Sequence, residues 1–259
     1  MLTNTKPGLL LLLLLVFTVN LAETRWETSL HSGSPVSAAD YRGAYVVQQL
    51  EPAFINFEFH DRTAPWAMYA YSISYFGLFP VLAIGILIAL ARRPELAPFR
   101  VLCLAVAADY IVSLPWFLLF PVPERWAYPE SNAILLSDNW TSSLIDSIRP
   151  ISAVNNSFPS THVSLTVIII AVCWLFHVRL RLTVSALGLM VIFATFVLGI
   201  HWLADIIAGV AVGMLSVGIA WRFTDTSERR ELAHESELAV IRRRARPVRQ
   251  LARAGGVQV

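Results

Sequence analysis

Charged side chains are scarce in this chain. Asp, Glu, Lys and Arg make up 15% of its 259 residues, where a soluble domain carries about a quarter. Hydrophobic residues reach 56% and the mean hydropathy is +0.60, so an ordinary soluble globular domain is excluded and a one-domain polytopic membrane protein is indicated. Cysteine is nearly absent. The only two, Cys103 and Cys173, sit inside apolar runs and read as small buried hydrophobes rather than a disulfide framework. Metal-binding spacings such as CxxC or HExxH are missing. A strong charge of either sign is missing too: the net value of +2 says little about partners, and no nucleic-acid partner is expected. No internal repeat is visible.

What the chain does have is long apolar runs. The first, Gly8 to Ala22, is Leu-rich, short and preceded by Lys6. It reads either as a cleaved signal sequence ending near Leu21-Ala22 or as a retained first helix, and we favour the helix. Residues 23–66 are mixed and polar. Within them the apolar residues from Tyr45 to Phe59 recur at helical spacing, as in an amphipathic helix lying along a membrane. Five further runs follow at about 67–91, 101–121, 162–178, 183–200 and 202–221, each near the ~20 residues needed to span hydrocarbon.

Arg92, Arg93 and Arg100 join the first pair of these runs, Arg179 and Arg181 join the third to the fourth, and Arg222, Arg229, Arg230 and Arg242-Arg243-Arg244 follow the last. The positive-inside rule places these loops in the cytoplasm. The expectation is an all-α polytopic membrane helix bundle of about six transmembrane helices with both termini cytoplasmic. Three parts are anticipated: 1–66, an apolar helix or signal anchor plus an extracytoplasmic segment; 67–223, a membrane-embedded catalytic domain; and 224–259, a basic cytoplasmic tail whose charge is either simply solvated or held near anionic lipid.

Two segments carry the chemistry: Phe158-Pro159-Ser160-Thr161-His162 and Thr195-x5-His201-x3-Asp205. Each sits at one end of a membrane-length run, where ionisable groups are expensive and therefore functional candidates. His201 and Asp205, at i and i+4, share a helical face. A carboxylate on one imidazole nitrogen fixes the tautomer and makes the other nitrogen a better nucleophile or base, although the same pair also reads as a structural closure of a helix end. Asp205 suits the positive end of a helix dipole. His162 follows Ser157, Pro159, Ser160 and Thr161, a helix-start signature. Amides at such an end bind anions, and a histidine in its first turn is placed to protonate a leaving oxygen; plain capping is the simpler alternative. Arg125 and Arg149 are the cationic candidates for phosphate oxygens, and each also reads as a surface loop residue. His31, His60, His177 and His234 have no partner signature and receive no role. Asn139-Trp140-Thr141 and Asn155-Asn156-Ser157 match the glycosylation pattern, with chance occurrence the simpler account.

Together the two segments resemble the signature of the type 2 phosphatidic acid phosphatase superfamily, and more closely its branch similar to inositol phosphorylceramide synthases. Pro159-Ser160-Thr161-His162 corresponds to the Pro-Ser-Gly-His motif, and Ala194-Thr195-x5-His201-x3-Asp205 to Ser-Arg-x5-His-x3-Asp. Phe158 to Val163, and Thr195 through His201-Trp202 to Asp205, look like the synthase-like version. The Pro-rich stretch ending at Arg125 resembles that branch's first motif, and the likeness extends over about residues 45–220. Two departures stand out. Arg149-Pro150 looks like the end of a Lys-x6-Arg-Pro motif, yet Ser142 stands where Lys is found, and Thr195 replaces a phosphate-binding Arg. Both changes remove a cation, which suits a less charged substrate such as a phosphodiester headgroup, or a site where Arg125 takes over.

The resemblance implies phosphoryl transfer on a lipid phosphate or phospholipid headgroup at the extracytoplasmic face, with no cofactor and no metal. It implies that His201 attacks phosphorus and forms a phosphohistidine, that Asp205 orients His201, and that His162 protonates the leaving alcohol. Ser160, Arg125, Arg149 and Thr195 are the residues it places on the phosphate. Water as acceptor makes a phosphatase and an alcohol makes a headgroup transferase; a catalytically silent scaffold or transporter is the reading from another class.

Overall fold

The computed structural model describes residues 2–30, 38–51, 64–136 and 154–224. Among them the regular structure is helical, apart from an isolated bridge between Val122 and Asn156. Two compact units are distinguished, Met1–Trp221 and Arg222–Val259. The second is described only through Thr224, so the expected basic tail lies almost wholly outside the described residues, as do Ser142, Arg149, His31, His60, His234 and Asn139.

Seven α-helices are described: α1 Lys6–Leu30, α2 Ala38–Leu50, α3 Pro65–Ala91, α4 Ala97–Leu119, α5 Thr161–Leu175, α6 Arg181–Val197 and α7 Leu203–Arg222. Four segments, Lys6–Trp26, Pro65–Ala91, Ala97–Leu119 and Leu203–Arg222, are long and apolar enough to cross a membrane. The other two apolar helices are shorter, α5 at 15 residues and α6 at 17. The protein is thus an all-helical integral membrane protein by the length and composition of its helices. Its outer surface agrees: Val81 is 66% exposed and Leu182 69%, which suits a lipid-facing wall rather than a watery one. Helix α1 is longer than its Leu-rich run suggests, since polar Glu23 and Thr24 are buried and carry it past residue 22. The anticipated helix over Tyr45 to Phe59 is represented by α2, which starts earlier; residues 52–63 lie outside the described residues.

Helix α4 packs against α1 and α5, α5 forms a hairpin with α6, and α3 lies across α4, α5 and α6. Helix α3 begins on Pro65, suited to a first turn, and loosens into a π-helical turn over Ser74–Leu78. Helix α5 has Ser160 as N-cap, its hydroxyl accepting from the Val163 amide. Helix α7 presses against α5 through Gly209 and Gly213. A Cβ on Gly209 would sit 2.6 Å from the Ser160 carbonyl oxygen, and one on Gly213 would sit 2.6 Å from that of Ser164. Small residues four apart let two helices approach to backbone contact.

The Met1–Trp221 unit has two unlike ends. At one, Lys6 Nζ donates to the Arg93 carbonyl, Arg100 Nε donates to the Thr3 carbonyl at 2.9 Å, and Arg93 reaches the Phe176 carbonyl at 3.3 Å. At the other, the loop after α4 is tied to the segment before α5 and to the α6–α7 turn by main-chain bonds: Val122 N to Asn155 O at 2.9 Å, Ser157 N to Val122 O at 3.0 Å, Arg125 N to Ile200 O at 3.0 Å and Trp126 N to Gly199 O at 3.0 Å. Gly199 adopts φ +75° in this weave, and a Cβ there would meet the Ile134 carbonyl oxygen at 2.6 Å, so only glycine fits.

Candidate active site

The woven end holds both histidine segments. His201 lies in the short turn between α6 and α7, and Asp205 lies in the first turn of α7. Their i, i+4 spacing brings His201 Nδ1 to 3.2 Å from Asp205 Oδ2. The same oxygen accepts from the Trp202 amide at 3.0 Å and from the Ser157 hydroxyl at 2.5 Å. Ser157 Oγ is also 3.0 Å from His201 Nδ1. Asp205 is fully buried and His201 is 4% exposed. With Nδ1 engaged on this carboxylate, His201 Nε2 is the ring nitrogen that has no hydrogen-bond partner among the described residues. A carboxylate that accepts from an amide, a hydroxyl and an imidazole N–H holds the ring in one tautomer, with the lone pair on Nε2.

His162 faces this pair from the first turn of α5, its ring centroid 6.1 Å from that of His201. Its Nδ1 is 3.3 Å from the Tyr75 hydroxyl. The imidazole is packed between Tyr75 at 4.6 Å and Phe79 at 4.8 Å. Both histidines line a cavity of about 320 Å³, together with Ser157, Thr161, Asn156 and Glu124 and with Asn20 and Thr24 of α1. Among the described residues no Lys or Arg lines it.

The other anticipated residues sit behind this surface. Ser160 is fully buried and spends its hydroxyl on capping α5. Thr195 is fully buried as well; its hydroxyl donates to the Ile192 carbonyl at 2.7 Å, and its own carbonyl accepts from the Ile200 and His201 amides, each at 3.2 Å. It therefore braces the main chain of His201. Arg125 is 4% exposed, with its guanidinium carbon 5.7 Å from the Phe196 ring and 5.8 Å from the Trp202 ring. Burial lowers its pKa from the usual arginine value, and the neighbouring Glu51 carboxylate partly offsets that. Arg125 is absent from the cavity wall among the described residues. Arg149 lies outside the described residues.

Several residues have roles here that the sequence reading did not assign. In the sequence Ser157 looks like one of the helix-start residues, yet its hydroxyl bridges His201 and Asp205. Tyr75 is hidden in an aromatic-rich span, where spacing carries no signal for a single hydroxyl. Glu51, just beyond α2, accepts from the Leu203 amide at 2.5 Å and so caps α7 next to Asp205. Burial raises the Glu51 carboxyl above its ordinary range, while the Leu203 amide and Arg125 pull it back. Glu23 of α1 accepts from Asn156 at 3.0 Å, which ties the first helix to the cavity wall. A cue was available for one feature only: Gly209-x3-Gly213 is a helix-contact pattern readable from sequence. Asn155 is buried, so its Asn-Asn-Ser sequence is not an exposed acceptor.

No curated protein and no solved structure matches this chain. The family model described as the PAP2 superfamily matches residues 98–229, half of the chain, and the chain belongs to that superfamily, whose members are generally phosphatases or phosphotransferases.

Proposed function

We propose that this PAP2 superfamily member transfers the phosphoryl group of a membrane lipid through a phosphohistidine on His201. His201 Nε2 attacks phosphorus. The bond from phosphorus to the lipid oxygen breaks as His162 gives that oxygen its proton, and a lipid alcohol leaves. His162 then takes a proton from water, whose oxygen attacks phosphorus, breaks the N–P bond and releases phosphate. Asp205 stabilises the imidazolium character that develops on His201, with Ser157 keeping the pair aligned. Tyr75 holds His162 by its other nitrogen. The phosphoryl oxygens are met by the first amides of α5 and by the neutral donors Thr161, Asn156 and Asn20. Ser160 and Thr195 act through the main chain that they hold, Arg125 supplies positive potential from behind, and Arg149 is the remaining direct cationic candidate.

One observation carries this reading: a buried imidazole whose Nδ1 is committed to a carboxylate while its Nε2 has no partner, beside a cavity that a second histidine shares. The division at 67–223, six spanning helices and an extracytoplasmic active face opposite cytoplasmic arginine loops belong to the same proposal, supported by the separation of the two ends.

A second reading is favoured by the cavity's composition. With no described Lys or Arg on its wall, the cavity suits a phosphodiester headgroup donor of one negative charge, as in the inositol phosphorylceramide synthase-like branch, with an alcohol replacing water. The test is turnover of phosphorus-labelled phosphatidic acid, polyprenyl phosphate and phosphatidylinositol, with and without alcohol acceptors, beside His201→Ala. Free phosphate lost in the variant supports the phosphatase, and label passing to an alcohol supports the transferase. The absence of any lipid turnover that His201→Ala abolishes removes both and leaves the scaffold or transporter reading.

A further inference from the structure

A second cavity, of about 360 Å³, lies between α1, α3, α4 and α5, within the roughly 300–1,000 Å³ of small-molecule sites. Its wall is mostly aliphatic, with Val16, Leu87, Val106 and Leu165 among its residues. It shares Asn20 and Thr161 with the cavity that His162 and His201 line, so the two lie side by side. Of its lining residues, Phe17 of α1 is 52% exposed and Ile84 of α3 is 57% exposed, so the cleft reaches the apolar outer surface between these two helices. An aliphatic cleft between a phosphoryl site and that surface fits a hydrocarbon chain.

Two of its wall residues do not suit hydrocarbon alone. Asp109 and Tyr110 of α4 are 2% and 8% exposed. Asp109 Oδ1 and the Tyr110 hydroxyl have no hydrogen-bond partner among the described residues. Polar atoms buried this deeply carry a desolvation penalty unless something bonds to them. Asp109 lies beside Ser164, which is two residues past His162 on α5, so it sits roughly 3 Å along the helix axis from the level of that histidine. Among the described residues no Lys or Arg lines the cleft, so the partner these atoms await is not a side-chain cation.

We propose that this cleft takes the chain of the lipid whose phosphate sits at His201, and that Asp109 and Tyr110 bind a hydroxyl or amide group carried by that lipid close to its phosphate. A carboxyl oxygen and a phenol together match a group that both donates and accepts. An isoprenoid or plain alkyl phosphate offers no such group and leaves both atoms unbonded. The proposal rests on the lipid phosphoryl-transfer reading above and narrows it to donors of this kind.

The test compares 1-oleoyl lysophosphatidic acid, whose free hydroxyl lies one carbon from the phosphate ester, with oleyl phosphate, which has none. The full-length protein in mixed micelles is expected to show a kcat/KM preference for the first lipid that falls about tenfold in Asp109→Leu and in Tyr110→Phe, mainly through KM. Tyr110→Phe changes one oxygen and keeps the packing, so it serves if Asp109→Leu does not fold. An unchanged preference in a folded variant overturns the proposal. Equilibrium binding of the same two lipids to His201→Ala separates this idea from the catalytic one. If the hydroxyl-bearing lipid binds more tightly and Tyr110→Phe abolishes the difference, the subsite stands even where no lipid is turned over. Equal binding of the two lipids refutes the subsite even where His201-dependent turnover is seen.

Discussion

The two ends of the Met1–Trp221 unit are built by different means. At the arginine end, Lys6, Arg93 and Arg100 clip helices together by reaching for carbonyls with long side chains. At the histidine end, the amides of Val122, Glu124, Arg125, Trp126 and Ser157 bond directly to carbonyls of the neighbouring segments. Side-chain clips leave slack, because each has several rotatable bonds. Main-chain bonds fix atoms far more closely, and phosphoryl transfer depends on such positioning. The end that carries both histidine segments is the one whose loops are tied together through the main chain.

The sharpest way to exploit this contrast is at Asp205. Asp205→Asn keeps the shape of the site but takes away the carboxylate that sets the His201 tautomer. It should reduce kcat roughly 10³-fold while expression and melting temperature stay close to wild type; wild-type turnover in that variant would remove the pairing from the mechanism. Next, Gly199→Val attacks the weave itself. The left-handed backbone costs a side chain about 1–2 kcal/mol, and the contact with Ile134 adds to that. Displacement of the turn should cost on the order of 10²-fold in kcat, alongside a lower melting temperature. Ser157→Ala, which removes one hydroxyl from the His201–Asp205 pair, is expected to cost about tenfold in kcat with little change in KM.

Glu51→Gln is subtler. Burial raises the Glu51 carboxyl in the folded protein, so its proton favours the fold at low pH. That contribution is present below the ordinary value of 4.5 and is lost as pH rises through the raised value. The glutamine variant should lack this slope, which shows as a flatter melting-temperature profile from about pH 4.5 upward. The smallest effect on turnover belongs to the other end. Arg100→Ala should lower stability by about 2 kcal/mol and leave kcat unchanged. A loss of kcat comparable with that of Ser157→Ala would mean that the two ends are not independent.

The apolar runs and the alternating arginines made the helices legible, because hydrocarbon thickness and charge cost act on any sequence in the same way. The His201–Asp205 pairing was legible because four residues make one helical turn. What stayed hidden depends on contacts between distant segments. Ser157 meets Asp205 only after residues 154–157 are laid beside residues 122–124, and nothing near Ser157 distinguishes it from a helix cap. Tyr75 reaches His162 from a π-helical turn that has no marker within its aromatic-rich helix. The resemblance places Ser160 and Thr195 on the phosphate, whereas their hydroxyls are spent on the backbone. The wall formed by Asn20 and Thr24 belongs to a helix whose sequence also reads as a removable leader.

The reach of the aliphatic cleft to the apolar surface at Phe17 and Ile84 has a kinetic consequence. A substrate that enters from the flank is drawn from the bilayer, so its effective concentration is its mole fraction among the surrounding lipids rather than its molarity in the sample. Adding inert detergent at constant substrate should then slow the enzyme, and adding buffer should not.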